Sequence, residues 1–130
     1  MRHYLETSAA AKLLVAEAET SALKAHLDGL PASDERMSST LTETELRRMA
    51  VRLGLDQGLA TDVLARFDLV DVPRAAFREA GILPGPHLRS VDALHLTMAL
   101  RMAADVVIGY DRRLIAAARN LGLTVASPGT

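Results

Sequence analysis

Short apolar runs alternate along this chain with stretches in which apolar residues recur every three to four positions. That alternation predicts strands interleaved with helices. Residues 2–5 read as a strand and 8–15 as an alanine-rich helix; 20–26 form a second helix, with Leu23 and Leu27 on its apolar face. Gly29-Leu30-Pro31-Ala32-Ser33-Asp34 is dense in breakers and predicts a loop. Residues 36–40 are short and could be a strand, after which Leu46, Met49, Ala50 and Leu53 mark one helix face that Gly54 ends. A helix over 56–67, a strand over 69–72 closed by Pro73, and a short helix over 73–80 follow. After a loop at 81–86, Val91, Leu94, Met98, Ala99 and Met102 line a helix ending near 103. Residues 105–110 give the strongest strand signal, β-branched and almost wholly apolar, hence central and buried on both faces. A helix over 112–121 stopped by Gly122 and a strand over 124–126 complete the chain.

Strands separated by helices imply right-handed crossovers, a parallel sheet and helices on both faces. The expected architecture is a three-layer α/β/α domain whose central sheet is mainly parallel and has about five strands. The 130 residues suit a single domain, and nothing repeats internally. The loop at 84–89 is expected to face the end of the sheet where strands terminate.

Composition narrows the chemistry. Aromatics are 3% and Trp is absent, so Leu, Ala, Val and Met must fill the core, and recognition by base stacking is disfavoured. The net charge of −1 does not mark a nucleic-acid binder, although clustered charge would matter more than the sum. Without cysteine there is no disulfide, thiolate chemistry or Cys-ligated zinc. The chain enters a strand at once and carries no signal-type run or membrane-length apolar stretch, so the cytoplasm is its expected location.

The candidate chemistry lies in four acids at strand ends and helix starts: Glu6, Glu45, Asp92 and Asp111. Each has a plainer reading. Asp111 is a natural N-cap, and Asp92 follows Ser90 in a first turn, where the helix dipole favours negative charge. Glu45 stands three residues after Thr42, the spacing of a capping box; Thr40 and Glu43 share that spacing, and a start at Thr40 would leave Glu45 free. Glu6 follows an apolar strand directly and is expected to cap the next helix less well than Thr7 or Ser8. Converging carboxylates repel, and a hard divalent cation with oxygen ligands, Mg²⁺ or Mn²⁺, is the usual remedy.

The motifs resemble those of PIN-domain ribonucleases, specifically the VapC-type toxins of toxin–antitoxin pairs. Tyr4-Leu5-Glu6-Thr7-Ser8-Ala9 is similar to the opening strand-Asp-Thr-Ser of that family, apart from the acid itself. Thr44-Glu45-Leu46-Arg47-Arg48, Leu88 through Leu96 and Val107 through Leu114 resemble the segments bearing the second, third and fourth acids, and Gly122 through Gly129 the usual ending. The resemblance implies a single PIN domain over 1–130 and a Mg²⁺- or Mn²⁺-dependent endoribonuclease toxin acting on structured RNA such as tRNA or ribosomal RNA. It further implies a homodimer inhibited by a cognate antitoxin. Glu6, Glu45, Asp92 and Asp111 would be the catalytic metal ligands, with Thr7 or Ser8 orienting a ligand or a metal-bound water.

Glu6 departs from the family's usual Asp. The alternative is therefore a PIN-fold protein that binds RNA or antitoxin with an impaired metal site. Arg47, Arg48, Arg52, Arg89, Arg112 and Arg113 are candidates for phosphate contact, although each alone reads as a solvated or salt-bridging arginine, Arg48 with Glu45 among them. His95, one turn after Asp92, is read as structural because Leu94 and Leu96 flank it. Met98 and Met102 are read as core filling and Tyr110 as packing at a strand end. A phosphotransfer receiver, also α/β with clustered acids, lacks support because the adjacent acidic pair expected early in such domains does not follow the first strand.

Overall fold

The first strand, β1 (Arg2–Leu5), alternates its side chains between two separate cores. The computed structural model describes residues 1–130 and places β1 at the centre of an all-parallel sheet ordered β3-β2-β1-β4-β5. The other strands are β2 (Glu35–Ser39), β3 (Asp68–Val70), β4 (Val106–Ile108) and β5 (Thr124–Ala126). The helices are α1 (Thr7–Leu14), α2 (Thr20–Asp28), α3 (Thr40–Leu53), α4 (Gln57–Leu64), α5 (Arg74–Gly81), α6 (Ser90–Arg101) and α7 (Arg112–Asn120).

Register pairs Tyr4 with Val107 and Leu5 with Ile108. Leu5, Val106 and Ile108 pack with Ala9, Ala10, Leu23, Leu46 and Val63 from α1–α4. Tyr4 and Val107 pack on the opposite face with Ala76, Leu96, Met98 and Leu114 from α5–α7. The expected three layers are present, and Met98 and Met102 lie in the core as expected. No helix is long and apolar enough to cross a membrane.

Crossovers leave β1 and β4 toward opposite faces, which opens a crevice at their carboxyl ends. In open α/β sheets this switch point is where ligands bind. The turns following both strands carry candidate acids, Glu6 and Asp111.

Local differences from the sequence expectation gather at that end. β4 is shorter than 105–110 because the Tyr110 N–H leaves the ladder and donates to Ser8 Oγ at 2.8 Å. The N-cap of α3 is Ser39, not Thr40, and no side chain caps it. Ser39 Oγ is instead 2.9 Å from the Tyr4 hydroxyl, so the Thr40–Glu43 box does not form. β3 stops at Val70, short of residue 72, and α4 ends at Leu64 where the chain turns through Phe67 N–H to Leu64 C=O.

Candidate active site

Glu6 is the N-cap of α1, contrary to the expectation that Thr7 or Ser8 would take that position. Its longer arm folds back, so that Oε2 accepts from Ser8 N–H at 3.0 Å and from Ser8 Oγ. Ser8 Oγ in turn accepts the Tyr110 N–H, which ties the end of β1 to the end of β4. Gly109 permits this approach, because a Cβ there would stand 3.2 Å from Glu6 Oε2 and 3.4 Å from its Cβ. The Glu6 side chain is buried, and burial pushes its carboxyl above the usual range against the lowering effect of the Ser8 hydrogen bonds.

Glu45 projects from α3 and is held through one oxygen. Oε1 accepts from Thr7 Oγ1 at 2.6 Å and lies 2.6 Å from His95 Nε2. Oε2 makes no hydrogen bond within the protein. Partial burial works to raise this carboxyl, but the His95 and Thr7 hydrogen bonds prevail and hold it below the usual range. The expected Glu45–Arg48 pair is not formed; His95 takes that place.

One cavity of about 590 Å³ opens at this end of the sheet, lined by Glu45, Asp92 and Asp111 together with Arg89, Arg112, Arg113, Ser90 and Val91. Asp111 caps α7 through Oδ1, which accepts from Arg113 and Leu114 N–H at 3.0 Å each, and its Oδ2 has no partner. The Asp92 side chain makes no hydrogen bond within the protein. Burial, and then the nearby charge of Asp111, raise its carboxyl above the usual range. Asp92 and Asp111 therefore repel in a cavity where several carboxylate oxygens lack protein donors.

Three of the four expected acids thus share one cavity, and Glu6 sits apart against Ser8. The donor set suits a hard divalent cation, since it is all oxygen and carries unpartnered negative charge. Yet no group of three or more His, Asp or Glu residues is spaced to hold one ion in common. The arginines divide in the same way. Arg89 and Arg112 line the cavity, and so does Arg113. Arg47 turns to α4, 3.2 Å from Gln57 Oε1 and from Thr61 Oγ1, while Arg48 lies exposed elsewhere.

The PIN domain model matches residues 3–120. The chain belongs to the PIN-domain family. It is similar to Ribonuclease VapC35 of Mycobacterium tuberculosis, 40% identical over 97% of this chain and 96% of that protein. In structure it resembles VapC20 of Mycobacterium tuberculosis, described as a Sarcin-Ricin loop cleaving toxin, with TM-score 0.72, 17% identity and 88% and 94% of the two chains covered. It also resembles a toxin-antitoxin complex from Klebsiella pneumoniae, with TM-score 0.72, 17% identity and 97% of each chain covered.

In this PIN domain, no local sequence motif marks the contacts that hold Glu45. His95 was expected to be structural; it is 1% exposed, and it also touches the acid directly. A signal for this existed, because His95 stands three residues after Asp92 and so shares its helix face. Tyr4, read only as a strand residue, places its hydroxyl 2.7 Å from His95 Nδ1.

Proposed function

We propose that this chain is a Mg²⁺- or Mn²⁺-dependent endoribonuclease that cuts structured RNA such as tRNA or ribosomal RNA. In this reading it is a toxin restrained by a cognate antitoxin and active as a homodimer. The observation that carries the reading is the cavity in which Glu45, Asp92 and Asp111 face Arg89, Arg112 and Arg113 at the sheet's switch point. Its similarity to a protein named as a ribonuclease and to toxin–antitoxin structures supports the substrate class and the partner.

A bound divalent cation would activate water toward the phosphodiester and stabilise the leaving oxygen. Asp92 and Asp111 would hold it through their unpartnered oxygens, and Glu45 would reach it through water, since the three acids are not spaced to ligate one ion together. Arg89, Arg112 and Arg113 would hold the RNA backbone, since guanidinium groups match phosphate in charge and geometry. Glu6 and Ser8 set the β1–α1 turn, and Thr7 fixes Glu45.

The placement of Glu6 favours one competing reading, a PIN domain that binds RNA or antitoxin without cutting. Asp in place of Glu6 would withdraw the carboxylate by about 1.5 Å, one carbon–carbon bond. Cleavage of labelled RNA in Mg²⁺ or Mn²⁺ by the purified chain, with EDTA and Asp92→Asn as controls, tests the enzyme. Metal-dependent cleavage lost in Asp92→Asn supports it. Cleavage absent from the wild type but present in Glu6→Asp identifies an enzyme impaired at one position, and silence from both favours the binding reading.

A further inference from the structure

The hydroxyl and imidazole groups behind Glu45 form a continuous buried line. Ser39 Oγ lies 2.9 Å from Tyr4 OH, Tyr4 OH lies 2.7 Å from His95 Nδ1, and His95 Nε2 lies 2.6 Å from Glu45 Oε1. Ser39 and Tyr4 are 0% exposed and His95 is 1% exposed, so water does not substitute for any of these partners. The rings of Tyr4 and His95 meet edge to face, with centroids 5.9 Å apart and planes at 69°.

The direction of the line follows from the chemistry of its ends. A carboxylate only accepts, so Nε2 carries the proton it donates to Glu45. Tyr4 keeps its hydroxyl proton, because burial raises it well above the ordinary phenol range. In the neutral tautomer of His95 that is protonated at Nε2, that hydroxyl donates to Nδ1 and its oxygen accepts from Ser39 Oγ. The Tyr4 phenol is then the buried partner of Nδ1 while Nε2 faces Glu45. Ser39 gives up its capping role for this contact, which leaves α3 without a side-chain cap.

We propose that His95 and Tyr4 are positioning residues, which clamp Glu45 through Oε1 and leave Oε2 free for the cation and substrate of the acidic cavity. The proposal rests on the reading of Glu45 as a site acid given above. Three elements meet in the clamp: β1 supplies Tyr4, β2 ends in Ser39 and α6 supplies His95, so the position of an acid on α3 depends on the sheet itself. Partners that orient metal-ligating groups typically contribute about 10–100-fold in metal affinity or activity.

Tyr4→Phe, His95→Leu and His95→Gln test the clamp, with folding checked by circular dichroism. Mn²⁺ affinity is read by electron paramagnetic resonance of the free ion, and kcat and KM are measured on a labelled RNA. Tyr4→Phe and His95→Leu are expected to weaken Mn²⁺ binding by about 10-fold or more and to lower kcat while KM for RNA holds. His95→Gln, whose amide N–H can reach toward Glu45, is expected to recover most of what Leu loses. If His95→Leu fails to fold, Tyr4→Phe carries the test, since it removes a single oxygen. Folded Tyr4→Phe within twofold of wild type in both Mn²⁺ affinity and kcat overturns the clamp while leaving the enzyme reading intact. A wild-type chain that neither binds Mn²⁺ nor cuts RNA overturns the enzyme reading, and the clamp with it.

Discussion

Ser8→Ala removes the atom that joins the two halves of the sheet at their carboxyl ends. Ser8 Oγ donates to Glu6 Oε2 and accepts the Tyr110 N–H at 2.8 Å, so its loss breaks one contact to a carboxylate and strands one backbone donor. A hydrogen bond to a charged group contributes about 1.5–3 kcal/mol, and an unsatisfied buried donor costs about 1–3 kcal/mol. Both hydrogen bonds are only part-buried and Ser8 N–H still reaches Glu6, so the combined loss is set at about 2–3 kcal/mol. With an unfolding entropy of about 2.1 cal/mol/K per residue, that lowers Tm by roughly 7–11 °C for a chain of this length. Urea unfolding and calorimetry measure both quantities, and amide exchange at Tyr110 should accelerate. Ser8→Thr keeps the hydroxyl and should retain most of the stability. A Ser8→Ala chain within 0.5 kcal/mol of wild type, with Tyr110 exchange unchanged, would refute the assignment of this serine as a strut (the threshold being about the scatter of neutral surface substitutions).

Glu6→Gln tests the cost of the buried carboxyl. A carboxyl whose pKa is raised by folding binds its proton more tightly in the folded chain, so it favours folding at acidic pH. That contribution is lost as pH rises from the ordinary 4.5 through the folded value. The stability of Glu6→Gln relative to wild type should therefore increase between pH 4 and pH 7.5 in denaturant titrations, and a difference independent of pH would contradict it. Arg89→Ala should raise KM for RNA and reduce its salt dependence, because Arg89 lines the acidic cavity. Arg47→Ala should leave KM unchanged and cost about 0.5–1.5 kcal/mol of stability through its lost contacts to Gln57 and Thr61.

The layers of the fold were legible because period-2 and period-3.6 patterns report burial directly, as Leu5 and Ile108 on one face and Tyr4 and Val107 on the other illustrate. Helices between strands predict a mainly parallel sheet, and every strand pair is parallel. The acids were legible as residue types at strand ends and helix starts. Their partners were not, because hydrogen bonds such as Ser39–Tyr4–His95 join positions up to 91 residues apart, and no local pattern encodes them. Two helix caps differ from expectation for the same reason, since Ser39 and Ser8 each have a long-range partner that competes with the local one, whereas Asp111 caps α7 as expected. Arg47 shows the converse, since its place beside Arg48 in the sequence hid its attachment to α4.

The most direct test of the central claim is an anomalous-scattering map from crystals of this chain soaked in Mn²⁺. A manganese peak in the acidic cavity is expected, with oxygens of Asp92, Asp111 and Glu45 drawn to about 2.1 Å or bridged to it by water. A peak at another surface, or an empty cavity in crystals soaked well above the concentration that supports cleavage, would contradict the claim that these acids hold the catalytic cation.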